Sequence, residues 1–278
     1  MRTFKVGPAA GIATDRFGTL MPGAKAIPVR LDNVHPRAWL ANSGPISVFV
    51  ARRCIVLRFP AREAKGIGMS YRYHDAKPTY SNAYLWPALE REIQRNSWAR
   101  KQAFDLGCGN GTTCDMLSKH GFDVTGVDTS SSGIEHAKTA FPHVRIEIGS
   151  AYDELASRYG TFDLVVSLEV IEHCMEPRAF AKTFLELIAP GGIGFLSTPY
   201  HGYLKNVALA VSGKMDRHFT VLWDGGHIKF FSVKTLGALL REAGAQQVRF
   251  ERIGRLPQLA KSMIAVVSKN GVRLGSKS

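Results

Sequence analysis

Phe104-Asp105-Leu106-Gly107-Cys108-Gly109-Asn110-Gly111 is the stretch whose reading decides the fold. It reads as the end of a buried strand, a glycine-rich turn and the start of a helix. Gly107, Gly109 and Gly111 leave a bare backbone loop, which a ligand can approach more closely than any Cβ would permit. The N–H groups at a helix start lack intrahelical partners, and the helix dipole favours an anionic group there. The pattern points to a nucleotide-like ligand lying across the C-terminal end of a parallel strand.

Spacing narrows the ligand. The dinucleotide fingerprint G-x-G-x-x-G needs glycine at position 112, where this chain has Thr112. The run is G-x-G-x-G, with Asp105 just upstream. Seventeen residues after Gly111 a second strand, Phe122–Val127, ends in Asp128. A carboxylate there can take both hydroxyls of a ribose.

At these residues the chain resembles the class I S-adenosylmethionine-dependent methyltransferases. The resemblance implies that the glycine loop holds the methionine half of the cofactor and that Asp128 holds its ribose. Asp105 is expected to fix the loop or meet the cofactor amine. After the third strand, relatives often carry an acid that reaches the adenine amine. Ser150 stands there, and its hydroxyl can still accept one hydrogen bond.

The rest of the chain alternates strand and helix with short joints, which argues a parallel sheet covered on both faces. Strands are expected at Ala103–Leu106, Phe122–Val127, Val144–Ile148, Phe162–Leu168 and Ile193–Thr198. Helices are expected at Ala88–Asn96, Thr112–His120, Ser131–Ala140, Tyr152–Arg158, Pro177–Ile188 and Ser232–Ala243. Ser130 or Ser131 is the expected N-cap of the third of these. Two final strands, Gln247–Ile253 and Ser262–Ser268, form an antiparallel edge. The expected fold is Rossmann-like α/β, a seven-stranded, mostly parallel sheet with helices on both faces and a last antiparallel strand. The resemblance covers about residues 84–268. Upstream, Tyr71, Tyr73, Tyr80, Tyr84 and Trp86 either cover the cofactor or pack on the sheet edge.

A second informative stretch follows the fourth expected strand: Glu169-Val170-Ile171-Glu172-His173. Ionised acids are rarely buried unless paired or bound to metal. On a helical turn, Glu169 with Glu172 and His173 would face one way. The E-x-x-E-H run resembles the ubiquinone-biosynthesis O-methyltransferases and the small-RNA terminal 2′-O-methyltransferases. That resemblance implies a divalent metal. Asp224–Phe231, which contains His227, resembles the histidine-bearing segment of the same groups. The expected metal set is therefore Glu169, Glu172, His173 and His227, holding Mg²⁺, Mn²⁺ or Zn²⁺. The competing reading has Glu172 and His173 capping a helix, with His173 as a plain general base.

Composition sets the outer limits. The 278 residues carry a net charge of +13 and a hydrophobic fraction of 45%, ordinary for a globular protein. Residues 1–68 hold 11 Lys and Arg against 3 Asp and Glu, so +8 of that charge lies there. The folded part keeps only +5, which argues against a nucleic-acid surface. Residues 1–68 show no persistent period and read as an unstructured extension, a targeting segment, or sequence upstream of a start at Met69. Residues 69–278 read as the methyltransferase domain, with 199–231 as a substrate-side insert. The four cysteines, Cys54, Cys108, Cys114 and Cys174, fit neither a zinc ribbon nor a disulfide framework, and suggest a reducing, cytoplasmic setting. Organellar import through the basic N-terminus is the alternative. No apolar run approaches the ~18 residues of a membrane span. Val207–Val211, between Lys205 and Lys214, is read either as a lid helix or as a peripheral membrane contact.

The expected activity is S-adenosylmethionine-dependent O-methylation of a small phenolic or quinol-like acceptor. The alternatives are 2′-O-methylation at an RNA end, or a cofactor-binding module without catalysis.

Overall fold

The computed structural model describes residues 71–269, together with the backbone of two short strands, β1 (Ser47–Val50) and β2 (Arg53–Val56). β1 and β2 pair antiparallel, with Val50 opposite Arg53. They belong to a unit of their own, Met1–Gly66. Apart from that hairpin, the expectation for residues 1–68 lies outside the described residues.

The second unit is built on seven strands. These are β3 (Gln102–Leu106), β4 (Asp123–Asp128), β5 (Arg145–Ile148), β6 (Phe162–Leu168), β7 (Ile188–Pro199), β8 (Gln247–Ile253) and β9 (Ser262–Ser268). Their spatial order is β5-β4-β3-β6-β7-β9-β8. The pairs from β5 to β7 are parallel, and β9 runs antiparallel between β7 and β8. The sheet reverses its order between β3 and β6, which leaves a crevice at the C-terminal ends of those strands.

Alternation along the strands divides the core in two. In β3, Phe104 and Leu106 join one cluster and Ala103 the other. In β9, Met263, Ala265 and Val267 face the first cluster, and Ile264 and Val266 the second. Helices α4 (Leu155–Tyr159), α5 (Pro177–Glu186) and α8 (Val233–Glu242) cover the first face. Helices α1 (Asn82–Arg95), α2 (Thr112–Lys119) and α3 (Ser131–Ala140) cover the second. Both faces are therefore dry, as a parallel sheet requires. Two further helices, α6 (Tyr203–Val211) and α7 (Met215–Phe219), lie in the insert after β7.

Local sequence sets several of these boundaries. Ser130 caps α3 by accepting the Gly133 N–H at 3.1 Å. Ser232 and Thr235 form a reciprocal capping box at the start of α8. Other boundaries differ from expectation. α1 begins at Asn82, six residues before Ala88, and continues through Pro87. α4 starts at Leu155 instead of Tyr152. The Ser150 hydroxyl accepts the Tyr152 N–H, and the Asp153 carboxylate accepts the Ser150 N–H, so a turn takes the residues before it. α5 stops at Glu186, because Ile188 already pairs with Phe162. The chain between Ile188 and Ile193 takes up a register shift in that ladder.

α5 packs directly on the backbone of β7. A Cβ at Gly194 would lie 2.6 Å from the Phe184 ring, and that ring is wholly buried. We expect Phe184→Ala to destabilise the protein by about 3–5 kcal/mol, the usual effect of emptying a buried aromatic site. Equilibrium urea unfolding measures it; a loss under about 1 kcal/mol would show that the helix closes onto the sheet without the ring.

Candidate active site

The glycine loop joins the end of β3 to the start of α2. The N–H groups of Gly107 and Cys108 both donate to the Val127 carbonyl, at 2.9 and 3.0 Å. Asp128, at the end of β4, completes the tie. Its Oδ2 accepts the Gly109 N–H at 2.8 Å, and its Oδ1 accepts the Ser130 N–H at 2.7 Å. With the Thr129 N–H also on it, three of the carboxylate's four or so acceptor sites are used, and one ribose hydroxyl can still be received. Asp105 lies beneath the loop, 2% exposed, and accepts the Cys114 thiol at 3.4 Å. Burial pushes its carboxyl up to about 7. Ser150 sits at the end of β5, its hydroxyl oxygen committed to the turn before α4.

The segment before α1 lies across this loop. Asn110 donates to the carbonyls of Asp75 and Lys77, at 3.0 and 2.8 Å. Ser130 donates to the Tyr71 carbonyl, and the Tyr73 N–H donates to Ser132. The Tyr73 hydroxyl occupies the place that a Cβ on Gly109 would need. Burial and the Asp128 charge push the Tyr73 phenol well above its ordinary range. Of the aromatics upstream of α1, Tyr73 packs against the glycine loop. Gly107 meets Val170 in the same way, with a Cβ placed 2.5 Å from the Val170 side chain. Val170 is the residue between the two halves of the site.

The second half follows β6, and it corrects one expectation. Glu169, Glu172 and His173 do not share a helical turn. Glu169 has a φ of 57°, in the left-handed region, and only Ile171–His173 form a short 3₁₀ turn. Four bonds hold Glu169 there, one of them from its N–H to the Ser197 carbonyl at 3.2 Å. Its N–H donates to the Ser197 hydroxyl at 3.1 Å. Its carboxylate accepts Ser197 at 2.7 Å and Ser262 at 3.1 Å. Glu169 is therefore tied to β7 and β9, while its charge still acts on Glu172.

Glu172, His173 and His227 do converge. Each offers one atom, and the three atoms lie within 4.8 Å of one another. Glu172 is fully buried; its Oε2 accepts Thr198 at 3.0 Å. Its Oε1 is buried with no hydrogen-bond partner among the described residues, 3.9 Å from Nε2 of His227. His173 Nδ1 donates to the Gly225 carbonyl at 2.8 Å, which leaves the Nε2 lone pair free. The insert is clasped here, since the Glu172 carbonyl accepts the N–H groups of Ile228 and Lys229. Burial and the nearby Glu169 charge push Glu172 well above the usual carboxylate range. Burial lowers His173, and lowers His227 to about 4 with His173 adding to the effect. Both imidazoles are neutral at pH 7, the state that accepts a proton or ligates a metal. Ser197, Thr198 and Ser262 were not singled out from the sequence; short hydroxyl residues at strand ends gave no signal of their own.

Residues 82–249, more than half of the chain, match the family described as a methyltransferase domain. The chain belongs to that family. A ubiquinone biosynthesis O-methyltransferase of Caulobacter sp. (strain K31) is 37% identical over 123 residues, 43% of this methyltransferase and 47% of the relative. The chain thus spans about half the length of that curated relative. A ubiquinone biosynthesis O-methyltransferase of Thiobacillus denitrificans is 32% identical over 199 residues, 67% of this chain and 83% of the relative. The fold agrees with the crystal structure of the PH0226 protein from Pyrococcus horikoshii OT3, with a TM-score of 0.54 at 18% identity. That likeness covers 71% of this chain and 95% of the other.

Two measurements test the loop. Gly107→Ala places a side chain at a φ of 85° and against Val170. We expect a loss of about 1–3 kcal/mol in urea unfolding; unchanged stability would mean that Val170 moves freely. Asp105 has its folded pKa raised from 3.8 to about 7. Its contribution to stability is complete below pH 3.8 and is lost as the pH rises through about 7. Asp105→Asn should therefore gain on the parent protein across that window in thermal melts. Parallel profiles would show that the buried carboxyl titrates normally.

Proposed function

We propose that this methyltransferase moves the methyl group of S-adenosylmethionine to a hydroxyl oxygen of a small phenolic or quinol-like acceptor. The observation that carries the reading is the Glu172–His173–His227 cluster, which begins two residues beyond the Val170 contact with the glycine loop. The names of the Caulobacter and Thiobacillus relatives support the same chemistry.

The cofactor supplies a sulfonium-activated methyl group, so the overall reaction breaks an S–CH₃ bond, forms an O–CH₃ bond and releases a proton. The chain's residues do the rest. Gly107, Gly109, Gly111 and the start of α2 cradle the methionine half, and Asp128 receives a ribose hydroxyl. Ser150 has its hydroxyl proton left to offer the adenine. Alignment of the acceptor oxygen is the main requirement. A phenol near pKa ~10 is mostly protonated at neutral pH. Nε2 of His173, in the neutral imidazole, takes that proton.

The donor set also fits a divalent cation. Glu172 Oε1, His173 Nε2 and His227 would hold Mg²⁺, Mn²⁺ or Zn²⁺, and the orphaned Oε1 is what such an ion would satisfy. The ion would supply Lewis acidity that lowers the pKa of an acceptor hydroxyl. Glu169 then acts as wall rather than ligand.

No helix among the described residues is long and apolar enough to cross a membrane. α6 leaves Tyr203, Leu204, Val207 and Val211 exposed beside Lys205. Those residues support peripheral contact with a membrane surface.

His173→Ala is expected to lower turnover of a catechol acceptor by about 10²–10⁴-fold while S-adenosylmethionine affinity holds. Full turnover in that variant would reject the site. Chelation is expected to abolish turnover, with recovery on adding back Mn²⁺; full activity after verified metal removal would leave His173 as the base alone.

A further inference from the structure

A line of rings runs from the glycine loop to the Glu172–His173–His227 cluster. Tyr73 packs on Gly109 and Gly133, and its ring meets the Tyr71 ring at 4.8 Å. Tyr71 meets Trp223 at 6.1 Å, with the ring planes 83° apart. Trp223 in turn meets His173 at 6.1 Å and His227 at 5.9 Å. The line begins on the cofactor side and ends on the acceptor side. It spans the interval that a transferred methyl group has to cross.

Backbone contacts hold these rings in place. Ser130 donates to the Tyr71 carbonyl, and the Tyr73 N–H donates to Ser132. The Trp223 N–H donates to the carbonyl of Thr220, whose φ is 45°, and the Trp223 carbonyl accepts the Gly226 N–H. A Cβ on Gly226 would lie 3.3 Å from the indole ring. Yet Tyr71 and Trp223 stay 48% and 44% exposed, so pinned rings keep bare surface beside the site. Two rings at nearly a right angle form the walls of a corner. Corners of this kind receive cations, because the face of each ring is negative.

A sulfonium is a cation of an uncommon sort. It carries no N–H or O–H, so no carboxylate or carbonyl can hold it by accepting a hydrogen bond. Asp128 acts on Tyr73 through its charge, but three backbone N–H groups already engage that carboxylate. His173 and His227 are neutral at pH 7, so the far end of the line does not repel a cation. Loss of the methyl group turns the sulfonium into a neutral thioether, and the attraction of the rings goes with the charge.

We propose that Tyr71 and Trp223 form an aromatic corner that holds the sulfonium of S-adenosylmethionine by its charge and so distinguishes the cofactor from its thioether product, S-adenosylhomocysteine. This deepens the cofactor half of the proposed reaction and rests on it; the identity of the acceptor does not enter.

Binding is measured without acceptor. Calorimetry on the full chain compares S-adenosylmethionine, S-adenosylhomocysteine and sinefungin, in which a carbon bearing an ammonium group replaces the sulfonium. Tyr71→Leu and Trp223→Leu should each weaken S-adenosylmethionine about threefold or more, the effect of one ring face at a half-exposed site, with S-adenosylhomocysteine held within about twofold. Sinefungin should follow S-adenosylmethionine. Tyr71→Phe and Trp223→Phe keep a ring face and should keep most of the affinity. Fluorinated tryptophans give a second reading, because fluorine drains the ring face at nearly constant size. Affinity for S-adenosylmethionine should fall with each added fluorine in the parent protein and stay level in Trp223→Phe. Equal losses for all three ligands would show that the rings only pack, and would overturn the proposal. Unchanged S-adenosylmethionine affinity in both Leu variants would do the same, as would sinefungin that follows the thioether, since the rings would then meet the methyl group and not the charge. A parent protein that binds none of the three ligands would instead reject the cofactor half on which the proposal rests.

Discussion

The hydrogen bond from the Gly109 N–H to Asp128 is the contact on which the rest of the site depends. It binds the ends of two neighbouring strands to each other through a carboxylate that burial would otherwise discharge. Backbone N–H groups from Ser130, Gly109 and Thr129 oppose that penalty. Burial still leaves the carboxyl above its ordinary range, but the three N–H groups fix its position before any ligand arrives. Ser130, fixed by the same carboxylate, caps α3 and grips the Tyr71 carbonyl, so the covering segment is positioned by the same interaction.

Much of the fold was legible because it is local. β6, β8 and β9 fall on the expected residues, since apolar runs between turn signals leave little choice. The Ser130 cap and the Gly107–Gly111 loop were readable for the same reason. α1 was only half legible, because Pro87 argues for a helix start and tertiary packing of Leu85 overrides it. α4 was displaced by a side-chain turn that competes with a helix for the same N–H groups.

The convergence of Glu172, His173 and His227 was legible in its residues but not in its geometry. Placing Glu169, Glu172 and His173 on one face assumed a helical turn. The backbone at Glu169 instead takes a left-handed conformation, because hydroxyls from β7 and β9 capture its N–H and carboxylate. Those partners lie 28 and 93 residues away in sequence, so no local pattern announces them. His227 was found only because its segment resembled one in known families. A rank of aromatic rings joins the two halves: Tyr71 meets Trp223, and Trp223 meets His173 and His227.

The placement of β9 between β7 and β8 has a consequence for how the protein comes into being. The cofactor loop, Asp128 and Ser150 come from one continuous stretch, and their contacts close over short chain distances. Glu169 has both its oxygens engaged only once Ser262 arrives, on a strand that follows all the others in sequence. Contacts of long sequence separation form slowly. During synthesis the glycine loop and its Asp128 tie can therefore take shape while the Glu169 side of the sheet is still open. A nascent chain would complete its glycine loop before the far edge of its sheet.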